Sequence, residues 1–125
     1  MGLDQFAYRA KKSKSLSDFN CPKKVIIDYD FDYWRKFYGL QIWMENLYRE
    51  KGGKEEVFNC TPIRITEQDL DRLDRDSDED SFYEERYLPT LEEEKEHEVG
   101  HLKSFIKNAK KAIAEGYAVY YDSWW

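Results

Sequence analysis

From residue 32 to residue 51 the large apolar side chains recur in steps of three and four: Tyr33, Phe37, Leu40, Met44 and Leu47, stopped by Gly52-Gly53. Such a stripe is the signature of a helix with one face to bury. A second stripe, Leu102, Phe105, Ile106, Ala109 and Ile113, predicts another helix over about 100–115, with Gly116 placed to end it. Around these lie short alternating segments: "LDQFAYRA" at the start, "KVIIDYD", "EVFNCTPIRIT" and the aromatic "YAVYYDSWW". They read as strands. In "EVFNCTPIRIT", Val57, Ile63 and Ile65 are expected on one face, and Pro62 marks an edge or a bulge. Thr66 stands where it can cap a short acidic helix, "EQDLDRLDR". Strand and helix signals alternate without long hydrophobic parallel strands. The expectation is an α+β fold whose mostly antiparallel sheet includes the first and last strands as neighbours, packed against the two main helices at about 32–51 and 100–115. Trp124 and Trp125 are expected to add buried aromatic area.

With 125 residues the chain fits a single domain, 1–125, able to bury roughly two thirds of its unfolded surface. Its mean hydropathy of -0.91 looks polar, but an aromatic share of 17% supplies large apolar side chains for a core. Cys21 and Cys60 match neither a disulfide framework nor a paired metal site, and no signal-like segment opens the chain. A reducing cytoplasm is therefore the expected compartment. No apolar run approaches the roughly 18 residues of a membrane span. "MGLDQF" lacks the Ser or Thr of a myristoylation signal, so the chain is expected to be soluble and unanchored.

Acid is concentrated in one block. Between Glu67 and Glu96 stand 14 acidic and 4 basic residues, a local charge of -10 within an overall -6, and 74–96 reads as an acidic linker or loop. Phosphate backbones repel such a surface, which disfavours direct nucleic-acid binding. A basic or metal partner fits it better.

Two stretches have metal-ligand spacing. "HEVGH" matches H-E-x-x-H, in which His97 and His101 on one helical face would hold zinc and Glu98 would serve as base. These are the chain's two histidines, so a third ligand would have to be a carboxylate such as Glu115 or Asp122, and the neighbouring "EEEKE" argues for a solvated turn instead. In "DRDSDEDSFYEE", Asp74, Asp76, Asp78 and Asp80 take positions 1, 3, 5 and 7 of a calcium loop, with Glu85 at position 12. Glu79 occupies the sixth position, where the sharp turn calls for glycine. A flexible acidic linker explains the same residues.

On the first helix a third set converges. At 100° per residue Trp34, Tyr38, Gln41, Glu45 and Tyr48 share one flank beside the core stripe, with Arg35 and Lys36 near it for an anion. Such a flank can stack a planar ligand such as a small nucleotide, or hold a peptide. The competing account is a helix edge packed under the aromatic last strand.

The stretches "MGLDQFAYR", "YWRKFYGLQIWMENLY", "FNCTPIRITEQDLDRL", "YLPT" and "FIKNAKKAIAEGYAVYYDSWW" resemble a group of small phage and prophage proteins. That group begins MGLD, carries a YWRK box and an LPT segment, and ends in Ser-Trp. The likeness covers most of the chain and implies an origin more than a chemistry. It departs at Gln41, where the group often has histidine, and at "LEEEKEHEVG", where a Gly/Phe-rich stretch is usual. The function expected on these grounds is that of a phage-type accessory protein in the host cytoplasm. It would bind a host protein with a basic surface as a takeover or counter-defence inhibitor, through acid that mimics nucleic acid. No cofactor is called for. The alternatives are a nucleotide-sequestering module built on the aromatic flank and a zinc hydrolase built on HEVGH.

Overall fold

A computed structural model describes residues 2–83 and 92–125. The fold is α+β. In chain order the elements are β1 (Asp4–Lys11), a short 3-10 turn (Lys23–Val25), β2 (Ile26–Arg35), α1 (Tyr38–Glu50), β3 (Ile63–Ile65), α2 (Glu67–Asp76), a second 3-10 turn (Asp80–Tyr83), α3 (Glu92–Ala114) and β4 (Tyr117–Trp124). The strands form one antiparallel sheet in the order β2-β1-β4-β3. β1 and β4 pair along their whole length, from Asp4 opposite Trp124 to Lys11 opposite Tyr117. The two ends of the chain thus form the centre of the sheet, each satisfying the other's backbone groups as expected.

One face of the sheet carries Ala7, Trp34, Ile63, Ile65, Val119 and Tyr121 into a single core. There they meet Leu40, Met44 and Leu47 of α1, Leu70 and Leu73 of α2, and Leu102, Phe105, Ile106 and Ala109 of α3. The helix stops foreseen at the glycines hold. Gly52 and Gly116 both adopt φ 98, a left-handed conformation that costs glycine nothing, and close α1 and α3. Thr66 caps α2 through a reciprocal pair: its hydroxyl accepts from the Asp69 N–H at 3.2 Å and the Asp69 carboxylate accepts from the Thr66 N–H at 2.9 Å. Thr66→Ala is expected to cost about 1 kcal/mol in chemical denaturation, the usual loss for an N-cap, and a change below a few tenths would deny the cap its role.

Several boundaries differ from the expectation. The first helix starts at Tyr38, not Asp32, because residues 32–35 pair with β1 in the register Asp4 opposite Arg35 to Ala7 opposite Asp32. Lys36, at φ 56, makes the turn between strand and helix. The last helix begins at Glu92, so the segment 74–96 is not one loop: Asp74 and Asp76 close α2, and Glu92–Glu96 open α3. β3 is limited to three residues. Val57 lies outside it, 55% exposed, and does not share the buried face of Ile63 and Ile65. The chain turns between them at Cys60, which has φ 56. Trp124 and Trp125 are exposed, 62% and 45%, so the expected burial of the terminal tryptophans is not found.

Candidate functional site

HEVGH lies on α3 with its histidines one turn apart. The ring of His101 stacks on Trp34 at 5.3 Å between centroids, and its Nε2 is 2.6 Å from Asp32 Oδ1, which also accepts the Tyr33 N–H at 2.8 Å. His97 is exposed. The carboxylates proposed to complete a zinc site are elsewhere. Asp122 is on the opposite face of the sheet, and Glu115, just beyond α3, follows His101 by about 21 Å of helix rise. Among the described residues no group of three or more His, Cys, Asp or Glu side chains is placed to hold a metal. What the pentapeptide supplies is a histidine joining α3 to β2. His101→Ala is accordingly expected to lower stability by about 1–2 kcal/mol, while His97→Ala stays within about 0.5 kcal/mol. Equal melting temperatures for both variants would contradict this.

Five of the acidic residues have partners. Lys103 of α3 reaches Asp74 at 2.6 Å and Asp78 at 2.8 Å, Lys110 reaches Asp71 at 2.5 Å, and Lys51 reaches Asp69 at 2.6 Å. Asp76 accepts the Trp43 indole N–H at 2.9 Å. Asp74 and Asp76 are helical, so the calcium loop read from their spacing is absent at its first positions. Asp80 starts a 3-10 turn. Glu85 and the LPT segment lie outside the described residues. Within this block Lys103 and Lys110 of α3 pair with Asp71 and Asp74 of α2 and with Asp78 just after it, all three carboxylates still partly or largely exposed.

The flank assembled from helical spacing divides. Trp34 is buried on β2 with its ring edge-on to Phe105, Arg35 ends that strand, and Lys36 is in the turn. Tyr48 sinks between Phe19 and Phe58, at centroid distances of 5.0 and 5.3 Å. Tyr38, Gln41 and Glu45 do come together. With Leu3, Phe58 and Trp125 they line a cleft of about 270 Å³. Its floor is held by a buried polar chain: Gln5 Nε2 donates to Phe37 O and to Tyr121 Oη, both at 2.9 Å. Tyr121 in turn donates to Gln41 Oε1 at 2.5 Å, and Gln41 Nε2 donates to Phe58 O at 3.2 Å. Burial pushes the Tyr121 phenol far above its usual range, which keeps it a donor to Gln41.

Trp125 is the wall that spacing on α1 did not reveal. Its N–H donates to Asn59 Oδ1 at 3.0 Å, its main-chain oxygen accepts from Asn59 Nδ2 at 2.9 Å, and its indole N–H donates to Phe58 O at 3.0 Å. An indole nearly half exposed is thereby held still. Glu45 stands at the rim beside Arg49, 3.5 Å away, with both side chains well solvated. The cleft offers rings, one amide and one carboxylate. Comparison of the chain with protein-family models, curated proteins and solved structures finds no match. Among the described residues no helix is long and apolar enough to cross a membrane.

Proposed function

We propose that this chain acts by binding a partner protein that presents a basic surface, as an accessory factor that occupies and so alters a host component. The observation that carries the reading is the α1 cleft. Trp125 is pinned by three hydrogen bonds beside Tyr38, Phe58 and Gln41, with Glu45 at the rim. Rigid, partly exposed aromatics of this kind are the usual anchors of protein interfaces, because they contribute contact area at little entropic cost. A rim carboxylate on a chain of net charge -6 favours cationic partners. The motif resemblance to phage proteins supports the accessory role.

The test is capture of a partner from host lysate followed by affinity measurement across salt. Affinity should fall steeply as salt rises, because exposed charge pairs are screened over about 8 Å at physiological ionic strength. Trp125→Ala should weaken the complex by about tenfold or more, as hot-spot truncations do. Glu45→Lys is the charge reversal at the cleft itself; it ends only a solvated pairing with Arg49, whereas reversing Asp74 or Asp78 would break their pairing with Lys103 away from the cleft. Binding that ignores both salt and Trp125 would refute the reading. Quenching of Trp125 fluorescence by a mononucleotide, with no protein captured, would replace it by nucleotide binding.

A further inference from the structure

Alternation along β1 and β4 sorts their side chains onto two faces, and cross-strand register orders the outer face into rows. The first row is Arg35, Asp4 and Trp124; the second is Tyr33, Phe6 and Asp122. In the third, Tyr8 stands opposite Tyr120 and Tyr120 opposite Arg64, with Tyr29 edge-on to Tyr8 at 6.1 Å. The loop after β1 covers the far end of that row, where the Tyr120 hydroxyl donates to Ser17 O at 2.5 Å. The helices pack against the inner face. What stays open is aromatic: Tyr29, Tyr33 and Trp124 are 49%, 46% and 62% exposed, beside the partly exposed Phe6 and Tyr8.

Two carboxylates lie among these rings. Asp4 Oδ1 accepts the Tyr33 hydroxyl at 2.5 Å, and Asp122 accepts the Tyr8 hydroxyl at 3.2 Å and its neighbour's Ser123 N–H at 2.7 Å. Burial raises the Asp122 carboxyl above its usual value of 3.8, outweighing the two hydrogen bonds that lower it. A carboxyl group whose folded value is raised stabilises the fold only when protonated; that contribution fades as pH climbs through the folded value. The ionised carboxylate thus stabilises the fold less than its protonated form does. An asparagine could accept only one of the two hydrogen bonds, because the Tyr8 hydroxyl is taken by Oδ2 and the Ser123 N–H by Oδ1; the carboxylate thus serves the fold and also sets a negative charge among the open rings. Arg35, the cation of the first row, sets its guanidinium beside Gly2, and its charge also acts on the Tyr33 hydroxyl.

We infer that the outer face of the sheet is a docking surface for an arginine-rich segment of a partner protein, with guanidinium groups stacked on Tyr33 and Trp124 and paired with Asp122 and Asp4. A guanidinium is planar, stacks on ring faces and meets a carboxylate through two parallel N–H groups, which matches carboxylates set among rings; a lysine ammonium meets the same surface as a point charge. The charge complementarity that selects a cationic segment excludes the nucleic acid that an open aromatic sheet would otherwise suit, because Asp4, Asp122 and the net -6 repel phosphates. The assignment rests on the proposal of a basic partner and adds the surface and the chemical group. Trp124 and Asp4 face this side, while Trp125 and Leu3 line the α1 cleft, so the two surfaces meet around one end of the sheet.

The experiment uses a short peptide of alternating arginine and glycine, with lysine and citrulline counterparts, titrated into the full chain and followed by NMR and calorimetry. The arginine peptide should shift the Trp124 indole and the Phe6, Tyr33 and Asp122 amides, the lysine peptide should bind several-fold more weakly, and the citrulline peptide should not bind. Asp122→Asn should weaken binding by about tenfold, the cost of one lost charge-assisted pair. Tyr33→Ala, at an exposed position, should weaken it as well. Equal affinity of Asp122→Asn or of the citrulline peptide would overturn the inference. So would shifts confined to the α1 cleft or to Asp74–Glu79, which would leave the basic-partner reading standing. No binding of either cationic peptide anywhere overturns both. A peptide-independent dimer through the same face would assign it to a second copy and overturn the inference alone.

Discussion

Replacing Gln5 by leucine is expected to lower stability by about 3–4 kcal/mol, a large part of the roughly 5–15 kcal/mol typical of a domain. Gln5 is fully buried, and its amide satisfies three groups at once: it accepts the Phe37 N–H at 2.8 Å and donates to Phe37 O and Tyr121 Oη at 2.9 Å. Leucine fills the space and supplies none of this. The Phe37 N–H is then buried without a partner, at about 1–3 kcal/mol, and two further bonds are lost at about 1 kcal/mol each. Phe37 O keeps the N–H of Gln41, and Tyr121 keeps Gln41 Oε1 as acceptor, which limits the damage. Urea denaturation gives the magnitude, and amide exchange at Phe37 should quicken most. A loss under about 1 kcal/mol would show that the network is not needed. The variant also bears on the cleft: Gln41 hangs on the same chain of bonds, so partner affinity should fall even though Gln5 touches no partner.

Gly39→Ala is expected to cost about 2–3 kcal/mol, at the upper end for overpacking. A Cβ on Gly39 would stand 1.8 Å from the Phe82 carbonyl oxygen, which is backbone and cannot swing away. Either α1 or the turn Asp80–Tyr83 has to move. The turn is the weaker side, held through Phe82 and Tyr83 against Phe37 at centroid distances of 5.8 and 5.9 Å. Heightened proteolysis around Phe82 and Tyr83, with a lowered melting temperature, is the expected result. An unchanged melting temperature would mean that the first turn of α1 and the Phe82 backbone do not meet this closely. No ordinary propensity argument predicts such a loss, since alanine is the better helix former.

Reading residues 32–36 as helix shows where local pattern stops being informative. Tyr33 and Phe37 are four apart, a spacing that serves one face of a helix and also one face of a strand. Pairing with β1, some thirty residues earlier, resolves the ambiguity: ladder bonds from Asp4 to Ala7 hold the segment extended. That moved Trp34 from a helix flank into the core, where it stacks with His101. For the same reason HEVGH looked like a ligand pair: the sequence shows two histidines four apart and cannot show Asp32, 69 positions away, meeting one of them.

The sequence by itself determined the features that depend on neighbours along the chain: the apolar stripes of α1 and α3, the Thr66 cap, the glycine stops at Gly52 and Gly116, and the alternation that made strands of both ends. Each is settled within a turn or two of backbone, so short windows carry it. The tertiary structure decided which acids are neutralised by Lys103 and Lys110, which rings wall the cleft with Tyr38 and Gln41, and which face of the sheet stays open around Asp122. These depend on contacts between residues far apart in sequence. The sheet order and the seating of the helices choose such contacts, and residue spacing carries no record of them.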